Sequence, residues 1–189
     1  MTPLHEKIAD LFYPLTDFYA SHEVPPPTIE QLDGESMPMP YRDLLVHEQD
    51  MTSKLEAYWG TTLKVKVLEK HEENSQLTRQ VVLVTEQGLA TEFGAIRINL
   101  DQFEPPARAE ILACDRPLGA LLKAYDISYV CRPNAYFSFV CDEIASRAFE
   151  LGESHLLYGR HNLLLNDDEA LLAEVVEILP PLNSEAASK

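Results

Sequence analysis

An arginine stands inside the aliphatic run "LTRQVVLV", residues 77–84. Side chains alternate across a strand, so this stretch, read as a strand, puts Leu77, Arg79, Val81 and Leu83 on one face. A buried cation without a partner is costly, and arginine does not shed its proton to escape. Arg79 therefore needs water at a sheet edge, a carboxylate of its own chain, or a carboxylate on a ligand, which its planar fork suits. The stretch "LLAEVVEILP", residues 171–180, offers carboxylates. Read as a strand, it sets Glu174 with Leu172, Val176 and Ile178, and Glu177 with Ala173, Val175 and Leu179. Whichever face is core, one glutamate points inward. An inward arginine and an inward glutamate in one cavity can bind a ligand with an acid at one end and a hydroxyl or ether at the other.

The charge of the chain sharpens this reading. Among 189 residues there are 31 acids against 15 bases, a net charge of −16. That balance argues against nucleic acid and anionic membrane as partners. Such a chain can bind a small anion only where it concentrates cations locally, so an inward arginine is informative. No metal spacing such as HExxH is present, and no GxSxG, P-loop or GxGxxG. Cys114, Cys131 and Cys141 form no CxxC and read as buried reduced thiols. His5, His22, His47 and His71 lie in polar stretches and read as solvated. The opening "MTPLHEKIADLFYPL" has early acids and no apolar h-region, so it does not read as a secretory signal, and the cytoplasm is the expected location. No run approaches the roughly 20 apolar residues of a membrane helix.

These residues need a scaffold, and the chain supplies one. Residues 3–22 have apolar positions near helical spacing, Leu4, Ile8, Leu11, Phe12, Leu15 and Phe18, with Pro14 set to kink or end the helix. A proline-rich connection follows to residue 40. Residues 41–60 read as one helix through Leu44, Met51, Leu55 and Tyr58, closed by Gly60. "TTLKVKVLEK", "LTRQVVLVTE" and "LATEFGAIRINL" read as an antiparallel meander, with "HEENSQ" a polar loop and "QG" a tight turn. Pro105-Pro106 and Pro117 can each open a helix. "ISYVCRPNAYFSFVC" is strand-like but broken at Pro133-Asn134, and "DEIASRAFELG" is a short helix ended by Gly152. "HLLYGRHNLLL" and "ALLAEVVEILP" close the chain as a hairpin, and "NSEAASK" reads as a disordered tail. The expected fold is α+β, a mostly antiparallel sheet with helices packed over one face. Its parts are an N-terminal helix and connection at 1–40, a domain at 41–182, and a tail at 183–189.

Several stretches together resemble the chorismate pyruvate-lyase family: "LLVHEQDMTSKLEAYWG", "LTRQVVLV", "RPLGALL", "LYGRHNLLL" and "AEVVEILPPL". They occur in the family's order over roughly residues 41–182. The resemblance implies an antiparallel sheet enclosing a buried ligand pocket. It also implies cofactor-independent elimination of pyruvate from chorismate to give 4-hydroxybenzoate, as in quinone biosynthesis. On it, Arg79 falls on the carboxylate-binding arginine, Met51 on a methionine over the ring, and Leu118 on a residue whose backbone contacts the ligand. The ligand-facing glutamate falls on Glu177, with Glu174 the alternative. Phe93 stands where the family has a second arginine, leaving Arg97, Arg116, Arg132, Arg160 or His161 to meet chorismate's second carboxylate. The first forty residues and 127–152 are longer than in the family, as in a divergent branch.

In the implied reaction Arg79 anchors the ring carboxylate and Glu177 serves the ether oxygen as the C–O bond breaks. Methionine and leucine walls exclude water and hold a reactive conformer. The rival expectation is a non-catalytic module of the same fold that binds a small aromatic acid. The missing second arginine favours it, and no basic recognition helix accompanies this chain.

Overall fold

A computed structural model describes residues 11–152 and 154–182. Seven strands form one antiparallel sheet: β1 (Ile29–Leu32), β2 (Lys64–Glu73), β3 (Gln76–Val84), β4 (Ala90–Asn99), β5 (Val130–Val140), β6 (Leu156–Leu165) and β7 (Leu171–Leu179). Their order across the sheet is β1-β5-β6-β7-β4-β3-β2. Among the described residues six helices accompany them: α1 (Leu15–Ser21), α2 (Tyr41–Leu45), α3 (Met51–Trp59), α4 (Pro105–Ala113), α5 (Leu118–Ala124) and α6 (Glu143–Phe149). The fold is α+β, as the sequence leads one to expect. Among the described residues, no helix is long and apolar enough to cross a membrane.

The sheet buries both faces, which explains why β3 and β7 are apolar almost throughout. One face carries Leu77, Ile96, Ala173, Val175 and Leu164 beneath α4 and α5. The same face carries Leu83 and Leu179 beneath α2 and α3. The opposite face carries Val82, Phe93, Phe137, Val176 and Ile178 beneath Phe12, Leu15, Phe18 and Tyr19 and beneath α6. Helices therefore cover more than the one face expected. Only the outer strand β2 alternates cleanly, with Lys64 and Lys66 exposed.

Local differences from the expected elements have local causes. The stretch read as one helix over 41–60 is two, because Val46 leaves the helical region and Asp50 begins a new turn by accepting from the Ser53 N–H at 2.8 Å. Gly60 ends α3 in the left-handed region, φ 64°. The proline-rich connection contains β1, which pairs with β5. Much of the expected loop "HEENSQ" is strand, since β2 and β3 continue to a turn at Asn74-Ser75. Pro133-Asn134 bulges β5 without breaking it. Helix α6 stops at Phe149 on a left-handed Glu150, ahead of Gly152. The expectations for Leu4, His5, Ile8 and the tail at 183–189 lie outside the described residues.

Candidate functional site

Register decides which side chains meet. Arg79 is opposite Ile96, Ile96 opposite Val175, and Val175 opposite Asn162. These four form one row across β3, β4, β7 and β6. Three strand spacings put the Arg79 and Asn162 Cα atoms about 14 Å apart, with Ile96 and Val175 as the floor between them. Two residues along β7, Glu177 shares that face and is opposite Gly94 and Arg160. A Cβ at Gly94 would lie 1.9 Å from the Val176 carbonyl oxygen, so any larger residue there would push away the strand that carries Glu177.

Arg79 is 2 % exposed. Its Nη2 donates to the Arg116 carbonyl at 3.4 Å, a long contact, while Nε and Nη1 have no hydrogen-bond partner among the described residues. Burial pushes its pKa down, and the Cys114 thiol beside it offsets part of that push. The guanidinium nonetheless stays charged at any ordinary pH. Lys70, opposite Arg79 in register, donates to the Leu112 carbonyl at 3.3 Å and lies 3.8 Å from the Cys114 sulfur. Two cations thus flank one thiol in a strongly acidic chain, and one of them has idle donors.

Beside this row is a cavity of about 50 Å³, lined by Met51, Ile96, Leu118, Asn162, Val175 and Glu177, among others. Met51 and Leu118 are the first residues of α3 and α5 and are both buried over it. The Asn162 Oδ1 is buried without a hydrogen-bond partner among the described residues. The interior therefore holds idle donors on Arg79 and an idle acceptor on Asn162, with a carboxylate close by. That set matches a ligand with an acid at one end and a hydroxyl at the other. The volume does not yet match: about 50 Å³ holds one or two waters, whereas small-molecule pockets run to roughly 300–1,000 Å³. Among the described residues, the ligand-sized chamber expected from the sequence is not formed beside Arg79, which is not in the lining of this small cavity.

Arg160 is the second buried guanidinium on this face, 0 % exposed. Its Nε donates to Glu177 Oε2 at 2.5 Å, Nη1 to the Leu45 and His47 carbonyls at 3.1 and 2.9 Å, and Nη2 to the Gln49 carbonyl at 3.3 Å. Burial works against its charge, but Glu177 outweighs that and raises its pKa. Arg160 thereby fastens residues 45–49, the segment that leads into Met51. His47, expected to be solvated, is half-buried there. Burial first and the Arg160 charge second lower its pKa to about 4. Its Nε2 lies 2.7 Å from the Leu44 carbonyl, and its Nδ1 accepts from the Gln49 N–H at 3.1 Å. Glu92 is also buried near this pair, with Oε2 unpartnered. Burial, and then repulsion from Glu177, raise its pKa well above the usual carboxylate value.

The other candidates lie elsewhere. Glu174 projects from the opposite face, where its Oε1 is 2.9 Å from His161 Nε2 and its register partner is Arg97. Arg97 donates to the Tyr13 hydroxyl. Phe93 is in the core of that opposite face. Arg116 pairs with Glu110 at 3.2 Å, and Arg132 with Glu169 at 2.9 Å, both in exposed positions. The structure brings Arg79, Met51, Leu118 and Glu177 to one face and leaves Glu174 on the other. Sequence reasoning overlooked Asn162. Its signal was present in "LYGRHNLLL", where Arg160, Asn162 and Leu164 fall on one face by alternation.

No protein-family model and no curated protein matches the chain. Solved structures do resemble it in fold. The effector domain of PhnF from Mycobacterium smegmatis superposes with a TM-score of 0.53 and 11 % identity, over 69 % of this chain and 87 % of that one. The possible transcriptional regulator YydK from Bacillus subtilis gives 0.52 and 7 %, over 88 % and 91 %. The ligand-binding domain of a candidate GntR-family transcriptional regulator from Bordetella bronchiseptica gives 0.50 and 10 %, over 64 % and 92 %. At such identities the likeness is one of architecture: this chain has the fold of those regulator domains.

Proposed function

We propose that this chain binds a small aromatic carboxylic acid, with its carboxylate on Arg79. The observation that carries the proposal is the buried guanidinium with Nε and Nη1 unpartnered. A bidentate carboxylate takes Nη2 together with Nε or with Nη1, so it fills an idle donor and competes with the long contact to the Arg116 carbonyl. The ring then lies on Ile96 and Val175 under Met51 and Leu118, and a hydroxyl at the far end donates to Asn162 Oδ1. Arg79 donates a long hydrogen bond to the Arg116 carbonyl, just ahead of Pro117 and Leu118. A ligand that takes the guanidinium frees that segment, so α5 gives way and enlarges the cavity. Lids on short connections move in this manner in many binding proteins. A ligand-binding role also agrees with two of the proteins that share the fold, an effector domain and a ligand-binding domain.

A second reading is chorismate pyruvate-lyase activity, which the position of Glu177 favours. It shares the face of Arg79, lines the cavity and could serve the ether oxygen during elimination. Chorismate has a second carboxylate, however, and every nitrogen of Arg160 already has a partner. Binding without turnover is therefore the preferred reading. Incubation with chorismate, followed by 4-hydroxybenzoate absorbance, separates the two. The preferred reading expects saturable binding and no product. Product formation that Glu177→Gln abolishes would establish the lyase instead.

A further inference from the structure

The opposite face of the sheet carries a larger opening that shares no lining residue with the Arg79 site. It is a groove of about 680 Å³ between the edge strand β2, its neighbour β3 and helix α6. Val82 and Val84 form its floor, Ile144 and Phe149 one wall, and Leu68 the other. This size is in the range that admits a small organic molecule. The α6 wall is anchored: Asp142 caps the helix by accepting from the Ala145 N–H at 2.9 Å and also accepts from the Tyr19 hydroxyl at 2.5 Å.

Among the polar residues of the lining, Gln80 is the one that is buried, next to the apolar floor. Gln80 is 6 % exposed, and its amide makes no hydrogen bond among the described residues. The amide faces the groove and offers both a donor and an acceptor to a ligand seated there. Charges at the rim are mixed, with Lys66 and Arg147 against Glu143 and Glu150. Arg147 is bonded to Glu143, and His22 is 2.9 Å from Glu69. Such a rim selects no strong anion or cation. We propose that this groove is a second binding site, for a neutral ligand with an apolar body and one carbonyl or hydroxyl group hydrogen-bonded to Gln80.

Nile red, neutral and bearing a carbonyl, is a suitable probe. Fluorescence titration is expected to show saturable one-to-one binding, with dye contacts to the Val82 and Val84 methyls in nuclear Overhauser spectra of the unaltered chain. Leu68→Trp, at an exposed position on an outer strand, should weaken binding at least tenfold, and Gln80→Leu about tenfold. Arg79→Met should leave it unchanged, which separates this site from the one above. Non-saturable fluorescence, or dye contacts elsewhere, would overturn the site. Undiminished binding by Gln80→Leu would overturn the role of the amide. A concentration-dependent dimer lost in Leu68→Trp would assign the groove to a second copy of the chain and overturn the proposal.

Discussion

Two arginines are buried on the same face of one sheet, and they differ in what surrounds them. Arg160 donates to a carboxylate and to three backbone carbonyls, and no guanidinium nitrogen lacks a partner. Arg79 has one long bond to a carbonyl and two nitrogens with none. A guanidinium whose donors are filled from its own chain is part of the architecture. On the proposed reading, one left with idle donors in the interior offers them to a ligand. Burial alone does not separate the two; the count of satisfied donors does.

This contrast can be broken by experiment. The largest effect is expected at Arg160. Arg160→Ala strands Glu177 without a counter-charge and releases residues 45–49, which should destabilise the fold by about 3–5 kcal/mol in urea unfolding. Replacing both partners, Arg160→Met with Glu177→Leu, should recover most of that loss. Arg79→Met should behave in the opposite way. It removes idle donors, so the unliganded fold should keep its stability or gain about 1 kcal/mol. The same change should weaken organic-acid binding by about 2–4 kcal/mol, roughly 30- to 1,000-fold in Kd. If the two substitutions cost equal stability, the distinction between a filled and an idle arginine fails.

Smaller effects sharpen the surroundings of the pair. The folded-state pKa of Glu92 is raised, so the folded chain holds its proton more tightly than the unfolded one. Its contribution is complete below about pH 4.5 and declines as pH rises toward the raised value. Glu92→Gln should therefore remove a downward slope of stability with pH above 4.5, as read from chemical denaturation across that range. His47 has the reverse sign. Its folded pKa of about 4 lies below the ordinary 6.5, so the unfolded chain binds more protons in that interval. Stability should fall as pH drops from 6.5 to 4, and His47→Gln should flatten that fall. Partial exposure makes this the smallest of the effects.

Alternation alone was enough to pick out Arg79, because a charge among aliphatics on β3 must be explained. It could not choose between Glu174 and Glu177, because β7 is buried on both faces and neither face reads as solvent. The choice needed register: Glu177 lies between Gly94 and Arg160, and Glu174 between Arg97 and Leu163. The role of Arg160 was hidden for another reason. Its partners are backbone carbonyls of residues 45, 47 and 49, far away in sequence, and carbonyls carry no residue signature. The antiparallel meander and closing hairpin were legible from strand periodicity. The second covered face was not, because it depends on where α1 and α6 dock.

The most direct test of the central claim is a calorimetric titration of the intact chain and of Arg79→Met with 4-hydroxybenzoate. The account predicts one-to-one binding by the unaltered chain and loss of that binding in the variant, with both proteins equally folded by circular dichroism. Equal binding by the two, or no heat from either, would contradict it.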